Sequence, residues 1–475
     1  MKKAGLLFII PSIVVCAIPL LGMTVRPTTE TTENRNLSAF PQVKLEDGSL
    51  NRDFFSQFET WFSEHFAFRN ELVYADARIQ GDVFGVSAED GVIYGKDDWL
   101  FYTSSLKDFT GTDRLTERGQ YALKHNLAMA AEYAENHGVR LVLAVPPNKN
   151  TLYGEHMPYY DSLVADGTHT VDLLGPMSEE AGLSYADLTN MFRDEEEVMY
   201  LKRDSHWNNK GAMMAYDRIM GVLGCTYDSY EDIEPVWAET ENGDLNRMLY
   251  SFYGKNEYNY TYDIPQNYQV TNGSESVEDT WIETSCPSGS GKLVMFRDSF
   301  ANTLIPMIAN QFAECRFTKE GQYRLEKHIA EQAPDYVIME KGERALTDLI
   351  RTPPVISAPA AELPVPAEEL PVPAEETQAP EDGGGSSVDM VTARIDYSYF
   401  MISGNVDPSL LKPETDIIVS VNGTPYEAYL TGDDTFALYM KKEAVASFPA
   451  RLQIMTKDDE NVTIVLDKTI ESVEE

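Results

Sequence analysis

The alternation of helix patterns with short apolar runs is the feature that most constrains the fold of this chain. Residues 115–137 have a helix pattern that ends at Gly138, and the apolar run VRLVLAV follows at once. The same order recurs, with strand-like runs predicted at residues 184–188, 198–201, 292–296 and 336–339 and helices at residues 171–181, 210–223, 301–312 and 322–332. Such strands are typical of sheets covered on both faces. The pattern predicts a three-layer α/β domain with a mostly parallel sheet.

The first 80 residues are predicted to contain a membrane anchor and an aromatic helix. Lys2 and Lys3 precede an uncharged run at residues 4–25, which as a helix reaches about 33 Å, enough for a hydrocarbon core of about 30 Å. We interpret residues 1–26 as an uncleaved single-pass anchor in the cytoplasmic membrane, with the rest of the chain outside. A cleaved signal peptide is the alternative. Residues 54–80 are predicted as one helix whose aromatic stripe faces the core.

The composition changes after residue 350. Residues 351–387 contain eight prolines and two successive copies of ELPVPAE, which predicts a linker after a domain at residues 27–350. Residues 388–475 alternate apolar and polar positions between turn signals, which predicts a small C-terminal all-β, sandwich-like domain. Since this accessory domain follows a spacer and offers no candidate catalytic group, we expect it to be dispensable for folding of the first domain and for its chemistry.

Charge and cysteine content exclude several functions. The 475 residues include 38 Lys and Arg against 77 Asp and Glu, a formal net charge of −39, which argues against nucleic acid as a partner. Only Cys225, Cys286 and Cys315 lie outside the predicted anchor, so a dense disulfide framework is excluded. No Cys/His cluster has zinc-ligand spacing. The sequence therefore predicts neither a metal nor a cofactor.

Asp204 and His206 form the first candidate for catalysis. They lie two residues apart in the segment RDSHWNNKGA, between a predicted strand and a predicted helix. In an extended loop such residues point to the same side. Asp204 can then fix the tautomer of His206 and leave the second ring nitrogen as a base. The alternative is a helix-capping Asp beside a surface histidine.

Ser299 is the second candidate, in the segment FRDSF between a predicted strand and an apolar helix. Its hydroxyl is expected at the carboxyl edge of the sheet, where a helix N-terminus favours a developing oxyanion. Helix capping is again the alternative. Because ligand sites of open α/β sheets lie at the carboxyl ends of strands, we expect the two segments to meet. Ser299, His206 and Asp204 would then supply the nucleophile, the base and the orienting carboxylate for acyl transfer.

The segment DSHW at residues 204–207, with Gly211, Ala212 and Tyr216, resembles the signature of the DHHW family, with Ser205 in place of the first His. Weaker blocks support the resemblance in the same order along the chain: ENRNL at 33–37, GKDDWLF at 95–101, PPNK at 146–149, GDL at 243–245 and RDSF at 297–300. That family is similar to the SGNH-like proteins that O-acetylate alginate outside the cytoplasmic membrane. The resemblance covers roughly residues 30–345. It implies an SGNH-like α/β domain and a triad of Ser299, His206 and Asp204.

Two features depart from ordinary SGNH hydrolases. Arg297 replaces the Gly of the usual Gly-Asp-Ser block, and the Asp/His pair precedes the Ser, which resembles a circular permutation shared by the alginate relatives. The first departure leaves the oxyanion donors open. Asn148 and Lys149, at a neighbouring strand end, are candidates for oxyanion or substrate contacts, with solvated loop residues as the alternative. Arg297 and Trp207 are further candidates, although for Trp207 a packing role is favoured over a sugar platform.

The favoured function is an extracytoplasmic, membrane-anchored O-acyltransferase, and specifically an O-acetyltransferase that modifies a cell-surface or exported polysaccharide. Because acetyl-CoA is absent outside the cell, the resemblance implies a membrane-embedded O-acyltransferase as the acetyl donor. A carbohydrate esterase with the same triad is the first alternative, since water can replace the sugar hydroxyl as acceptor. A non-catalytic, glycan-binding scaffold subunit is the second.

Overall fold

The computed structural model describes residues 9, 13–14, 17–23, 25–28, 37–45, 48–165, 167, 169–239, 242–250, 254–364, 370, 385–445, 447–459 and 461–473. Within these residues, no helix is both long and apolar enough to cross a membrane. Much of the predicted anchor lies outside the described residues, and so does most of the Pro/Glu repeat.

The helices follow the predicted pattern in most of the chain and are shorter near the nucleophile segment. The described α-helices are α1 Phe54–His65, α2 Arg69–Ile79, α3 Leu106–Thr110, α4 Glu117–Asn136, α5 Lys149–Leu152, α6 Thr170–Glu180, α7 Leu188–Arg193, α8 Asn209–Leu223, α9 Asp244–Tyr250, α10 Ile305–Ala309, α11 Leu325–Gln332 and α12 Asp348–Arg351. A 3₁₀ turn at Phe300–Thr303 precedes α10 in place of the first part of the predicted helix at 301–312.

Strands occupy the predicted apolar runs, except the run at residues 198–201, and much of the C-terminal region. They are β1 Val92–Tyr94, β2 Leu100–Tyr102, β3 Arg140–Ala144, β4 Ser184–Ala186, β5 Val236–Glu239, β6 Tyr258–Thr261, β7 Gln269–Val270, β8 Trp281–Ser285, β9 Lys292–Phe296, β10 Glu314–Thr318, β11 Tyr336–Glu340, β12 Ser387–Thr392, β13 Tyr399–Asn405, β14 Asp416–Val421, β15 Thr424–Glu427, β16 Tyr429–Leu430, β17 Thr435–Lys441, β18 Ala450–Asp458 and β19 Asn461–Ile470.

A seven-stranded mixed sheet lies at the centre of the α/β part, in the order β4-β3-β11-β9-β10-β8-β7. The pairs from β4 to β10 are parallel, whereas β8 and β7 add antiparallel strands at one edge. Along β3, Leu141 and Leu143 join an apolar cluster with α4 and α6, while Val142 and Ala144 join a second cluster with α8 and α10. Alternate residues therefore face opposite helical layers. The predicted α/β class is present, and the sheet is mixed, with four of its six strand pairs parallel.

Residues 198–201 do not form the predicted sheet strand. Tyr200 makes an isolated antiparallel bridge to Trp207, so the chain folds back on itself there. The backbone N–H groups of Lys202 and Arg203 donate to the Glu257 carboxylate at 2.5 and 2.9 Å. These two residues directly follow the apolar run, and their N–H groups are satisfied outside the sheet. The chain therefore continues from the run as a loop that carries Asp204 and His206.

The predicted helix at residues 54–80 is two helices, and its aromatic stripe does not face the core. Phe68, with φ of 62°, separates α1 from α2. Phe55 is 81% exposed and Phe58 36% exposed. The rings of the stripe pack on one another and on Phe40, which lies 4.9 Å from Trp61 between ring centroids. The prediction was wrong because periodicity identifies an apolar helix face without identifying what covers it.

The C-terminal strands form two four-stranded antiparallel sheets, β12-β13-β17-β16 and β15-β14-β18-β19. Buried side chains of both sheets belong to the same apolar cluster as α4 and one face of the central sheet. Asn126 of α4 donates to the Leu430 carbonyl at 2.9 Å and accepts from the Leu430 N–H at 3.0 Å. The two parts of the chain therefore share a packed interface.

Residues 355–361, predicted as part of the spacer, also belong to this interface. The Ala358 N–H donates to the Tyr439 carbonyl at 2.8 Å, and the Ala361 N–H donates to the Pro425 carbonyl at 3.0 Å. Val355 and Ile356 are buried. The Pro-rich composition did not distinguish this apolar stretch, which extends both sheets, from the repeat that follows it.

Candidate active site

His206 and Asp204 lie in the loop between the Tyr200 bridge and α8. The Nδ1 of His206 lies 2.7 Å from Asp204 Oδ1, and the His206 backbone N–H donates to the same oxygen at 3.0 Å. Because a carboxylate only accepts hydrogen bonds, Nδ1 carries the proton and Nε2 is left as an acceptor in the neutral ring. The spacing of two residues thus produces the contact that the sequence predicts.

Ser299 directly follows the loop that leaves β9 at its carboxyl end. Its Oγ lies 2.8 Å from His206 Nε2, which orients the hydroxyl proton toward the imidazole. Asp298 holds this turn, because its carboxylate accepts from the N–H groups of Phe300 at 2.8 Å and Gly342 at 3.0 Å. The structure therefore brings Ser299, His206 and Asp204 together in one hydrogen-bonded chain.

Electrostatics favour a basic imidazole and an ionised carboxylate. Burial disfavours the imidazolium, but the hydrogen bond and charge of Asp204, with the charge of Asp244, outweigh it and raise the pKa of His206. Burial also opposes the charge on Asp204, but hydrogen bonds from the His206 ring and from backbone N–H groups hold the pKa of that carboxyl well below its usual range. Such a pair suits an acceptor of the Ser299 proton.

A cleft of about 1410 Å³ opens over Ser299 and His206. Lys319, on its wall, pairs with the Glu278 carboxylate at 3.0 Å. Burial opposes the charge on Glu278, but Lys319 lowers its pKa by a hydrogen bond and by its charge, and Asn302 adds a further hydrogen bond. The other charged side chains on the walls are Glu89, Asp204, Asp244 and Arg247. The cleft thus combines these charged groups with apolar side chains such as Met248 and Phe300, in a space large enough for an extended ligand.

Asn148 and Lys149, the predicted oxyanion or substrate residues, do not line this cleft. The Lys149 ammonium donates to the carbonyls of Leu201, Lys202 and Asp204 at 3.1, 3.0 and 2.6 Å. Complete burial lowers its pKa to about 8 despite the nearby carboxylates. Asn148 Nδ2 donates to the Asp108 carboxylate at 2.8 Å. Lys149 thus holds the site loop and Asn148 is bound to α3, so both residues have supporting roles.

Arg297 and Trp207 are also engaged within the protein. Trp207 is 1% exposed and donates from Nε1 to Thr303 Oγ1 at 2.8 Å, which fits packing rather than a sugar platform. Arg297 donates to the Val277 and Asp279 carbonyls at 2.8 and 2.7 Å, and to Asn302 Oδ1 at 2.5 Å. Arg297 therefore orients the amide of Asn302, a cleft residue that no sequence pattern singled out.

Asp244 is the second residue of the site that sequence reasoning missed as a functional group. Its carboxylate lies 3.7 Å from His206 Nδ1, and its backbone N–H donates to Asp204 Oδ2 at 2.8 Å. The sequence signal that could have identified Asp244 was its position in the GDL block at residues 243–245. Among the described residues, Asp204, His206 and Asp244 form one group whose ligand atoms lie within 4.8 Å of one another. Since both ring nitrogens of His206 already have partners, the group suits proton transfer better than metal binding.

Residues 92–288 match the family model described as an SGNH hydrolase-like domain of the acetyltransferase AlgX. The match includes Asp204, His206 and Asp244 and ends before Ser299. It supports an SGNH-like α/β fold and confirms the resemblance to alginate O-acetyltransferase proteins that the sequence motifs indicate.

Curated relatives give a second comparison. The probable alginate O-acetylase AlgJ of Pseudomonas aeruginosa is 30% identical over 131 residues, which are 27% of this chain and 32% of the relative. AlgJ of Pseudomonas fluorescens is 26% identical over 188 residues, 37% of this chain and 43% of the relative. The chain thus spans a third to less than half of these relatives. Among solved structures, a DHHW family protein from Eubacterium siraeum has a TM-score of 0.36 and 15% identity, with coverage of 46% of this chain and 85% of that one.

Proposed function

We propose that this protein is an O-acetyltransferase that modifies a polysaccharide through a covalent acetyl-serine at Ser299. The observation that supports this proposal most directly is the hydrogen-bonded chain from Ser299 to His206 to Asp204. Its distances are 2.8 and 2.7 Å, and it lines a large cleft with charged and amide side chains on its walls. Similarity to an acetyltransferase family model, and to proteins named as probable alginate O-acetylases, supports acetyl transfer and a polysaccharide acceptor.

In the first half-reaction, Ser299 Oγ attacks the carbonyl carbon of an acetyl donor while its proton passes to His206 Nε2. Asp204 stabilises the imidazolium that forms, because its carboxylate already accepts the Nδ1 proton. The tetrahedral intermediate then expels the leaving group, which takes the proton from Nε2. The product is an acetyl ester on Ser299 and a neutral His206.

In the second half-reaction, a sugar hydroxyl attacks the acetyl ester. His206 Nε2 accepts the hydroxyl proton, and the proton returns to Ser299 Oγ as the acetyl–serine bond breaks. Water attacking in the same place would give hydrolysis, so the outcome depends on which hydroxyl occupies the cleft. A volume of about 1410 Å³ with charged and amide side chains on its walls fits a carbohydrate chain.

The donor and location belong to the same proposal. We propose an extracytoplasmic enzyme, held by a single-pass anchor at residues 1–26, that receives acetyl groups from a membrane-embedded O-acyltransferase. The uncharged run at residues 4–25 supports the anchor. A Cβ on Gly22 would lie 2.7 Å from Ala67 Cβ, so the end of this run contacts the helix pair that bears the exposed aromatic stripe. The stripe includes Trp61, and Trp side chains are enriched where proteins meet the membrane surface.

Carbonate extraction tests the location. Membranes from cells that produce the full chain are expected to retain it in the pellet, whereas a variant without residues 4–25 is expected in the supernatant. Release of the full chain by carbonate would contradict the anchor.

An acyl-enzyme experiment tests the chemistry. Incubation of the protein with an activated acetyl ester is expected to place one acetyl group on Ser299, detected by peptide mass spectrometry. Ser299→Ala is expected to lose the adduct and to lower the rate by about 10³ or more. Added oligosaccharide is expected to become acetylated while free acetate falls. Acetylation that persists in Ser299→Ala at the site acetylated in the unchanged chain would contradict the nucleophile, and acetate release unchanged by every acceptor would favour the esterase.

A further inference from the structure

The turn at residues 243–246, which begins α9, packs closely against the loop that carries Asp204 and His206. A Cβ on Gly243 would lie 2.7 Å from the Arg203 carbonyl oxygen and 2.9 Å from Asp204 Cβ, so only glycine allows this approach. The Asn246 N–H donates to the Arg203 carbonyl at 3.0 Å. The Arg203 guanidinium donates in return to Asn246 Oδ1 at 2.8 and 2.7 Å. Close packing and three hydrogen bonds therefore hold the turn against the loop.

Asp244 contributes both its backbone N–H and its carboxylate to this contact. Its backbone N–H donates to Asp204 Oδ2 at 2.8 Å, which leaves Asp204 Oδ1 for the His206 ring. Its carboxylate accepts from the Ser205 N–H at 2.7 Å and from the Ser205 hydroxyl at 2.5 Å. Asp244 thus orients the carboxylate that orients His206, and its own charge lies 3.7 Å from the same ring nitrogen.

Ser205 stands where the DHHW signature has its first His. Its hydroxyl lies 2.5 Å from Asp244 Oδ2 and 3.3 Å from His206 Nδ1. Ser205 therefore provides a polar connection between Asp244 and His206.

We propose that Asp244 is a positioning residue that sets the proton affinity of His206 and fixes the orientation of Asp204. This inference rests on the proposed acyl transfer. Asp204, at 2.7 Å, remains the direct partner of the ring, and Asp244 acts through Asp204, through Ser205 and through its charge. The other charged groups that face His206 are Arg344, which opposes the imidazolium, and Glu278 on the cleft wall.

The backbone and side-chain contributions can be separated by substitution. Asp244→Asn keeps the N–H to Asp204 and an acceptor for the Ser205 N–H, but it removes the charge beside Nδ1. The imidazolium then loses stabilisation, so His206 stays neutral to lower pH, and the acid limb of the kcat/KM profile is expected to move to lower pH. Gly243→Ala is expected instead to displace Asp204 and to lower kcat by about 10- to 100-fold.

The experiment measures the kcat/KM–pH profile with an activated acetyl ester for the full chain, Asp244→Asn, Ser205→Ala and a charge control. Asp389→Asn removes the same charge from an exposed position on β12 and is expected to leave the profile unchanged. Histidine ring NMR titration in the Ser299→Ala background gives a readout that needs no turnover, with the His206 signal assigned by its loss in His206→Asn. A lower midpoint for His206 in Asp244→Asn is expected.

The outcomes separate this proposal from the proposed function. If Ser299→Ala is inactive but Asp244→Asn moves neither the profile nor the NMR midpoint, Asp244 has only a structural role and the inference is overturned. If Asp244→Asn lowers thermal stability without either shift, the same conclusion holds. If Ser299→Ala retains wild-type acyl transfer, the proposed function fails, and the NMR titration still decides whether Asp244 raises the proton affinity of His206.

Discussion

At the scale of single residues, the ionisation of His206 depends on opposed effects of burial and of two neighbouring carboxylates. Burial removes water from the imidazolium, whereas Asp204 at 2.7 Å and Asp244 at 3.7 Å stabilise it, and the balance raises the pKa. The proposed reaction needs the neutral ring, because only that form accepts the Ser299 proton. A raised pKa therefore makes the neutral His206 ring a stronger base. The ring also becomes protonated at a higher pH than an exposed histidine does.

This balance predicts the pH dependence of the first half-reaction. As pH falls through the His206 pKa, the ring becomes protonated and kcat/KM is expected to decrease tenfold per pH unit below that point. Asp204, whose pKa is lowered, stays ionised over the same range and contributes no second limb. Steady-state rates from pH 5 to pH 9 with an activated acetyl ester measure the profile. A rate that is flat down to pH 5 would exclude His206 as the base.

At the scale of elements, α8 is held to the site loop by its first residues. Asn208 caps α8, accepting from the Gly211 N–H at 2.8 Å, and its Nδ2 donates to the Val198 carbonyl at 2.7 Å. A Cβ on Gly211 would lie 2.6 Å from the Met199 carbonyl oxygen, so the helix starts in direct contact with the strand-like segment before the loop. The cap therefore fixes both the helix and the ends of the loop.

Removing this cap is expected to cost stability. Asn208→Ala leaves the Gly211 N–H and the Val198 carbonyl without their side-chain partners, and we expect the free energy of unfolding to fall by about 1–2 kcal/mol. Asn208→Asp keeps the capping acceptor and loses only the Nδ2 donor. Its free energy of unfolding is therefore expected to lie between those of Asn208→Ala and the unchanged chain. Urea unfolding followed by circular dichroism measures the difference. Equal midpoints for Asn208→Ala and the unchanged chain would contradict the capping role.

The helix and strand positions of the α/β part were largely predictable from the sequence, but the partners of each apolar run were not. The apolar runs at 292–296 and 336–339 are β9 and β11, as periodicity predicted. The run at 198–201 has a similar composition and forms no sheet strand, because Lys149, Tyr153 and Trp207 provide its polar and bridging partners. Lys149 and Tyr153 are distant in sequence, so local pattern could not identify them.

At the scale of the whole molecule, α4 joins the central sheet to the C-terminal sheets. Tyr121 donates to Asp416 at 2.6 Å, and Arg118 donates to the carbonyls of Pro413, Thr415 and Asp433. One apolar cluster includes residues of α4, β3, β13 and β17. The expectation of a dispensable C-terminal part is therefore replaced by one of mutual stabilisation, since removal would expose a buried apolar face to water.

This interface predicts cooperative unfolding. Asn126→Ala removes the side chain that serves both the N–H and the carbonyl of Leu430, and we expect a loss of about 2–3 kcal/mol because buried groups are left unpaired. Asn136→Ala, at an exposed position of the same helix, is the matched control and is expected to have little effect. A single calorimetric transition for the full chain is expected. Two separate transitions, with a stable chain ending at residue 350, would contradict the shared core.

Local chemistry in the sequence determined the α/β class, the strand runs and the three residues of the proposed triad, because hydrophobic period, loop position and side-chain type are properties of short segments. Only the tertiary structure decided that Lys149 supports the site loop, that Asp244 faces His206, and that the aromatic face of α1 lies outside the core. Each of these depends on contacts between segments far apart in the chain. Burial and partner choice at such contacts follow from packing, which no local pattern contains.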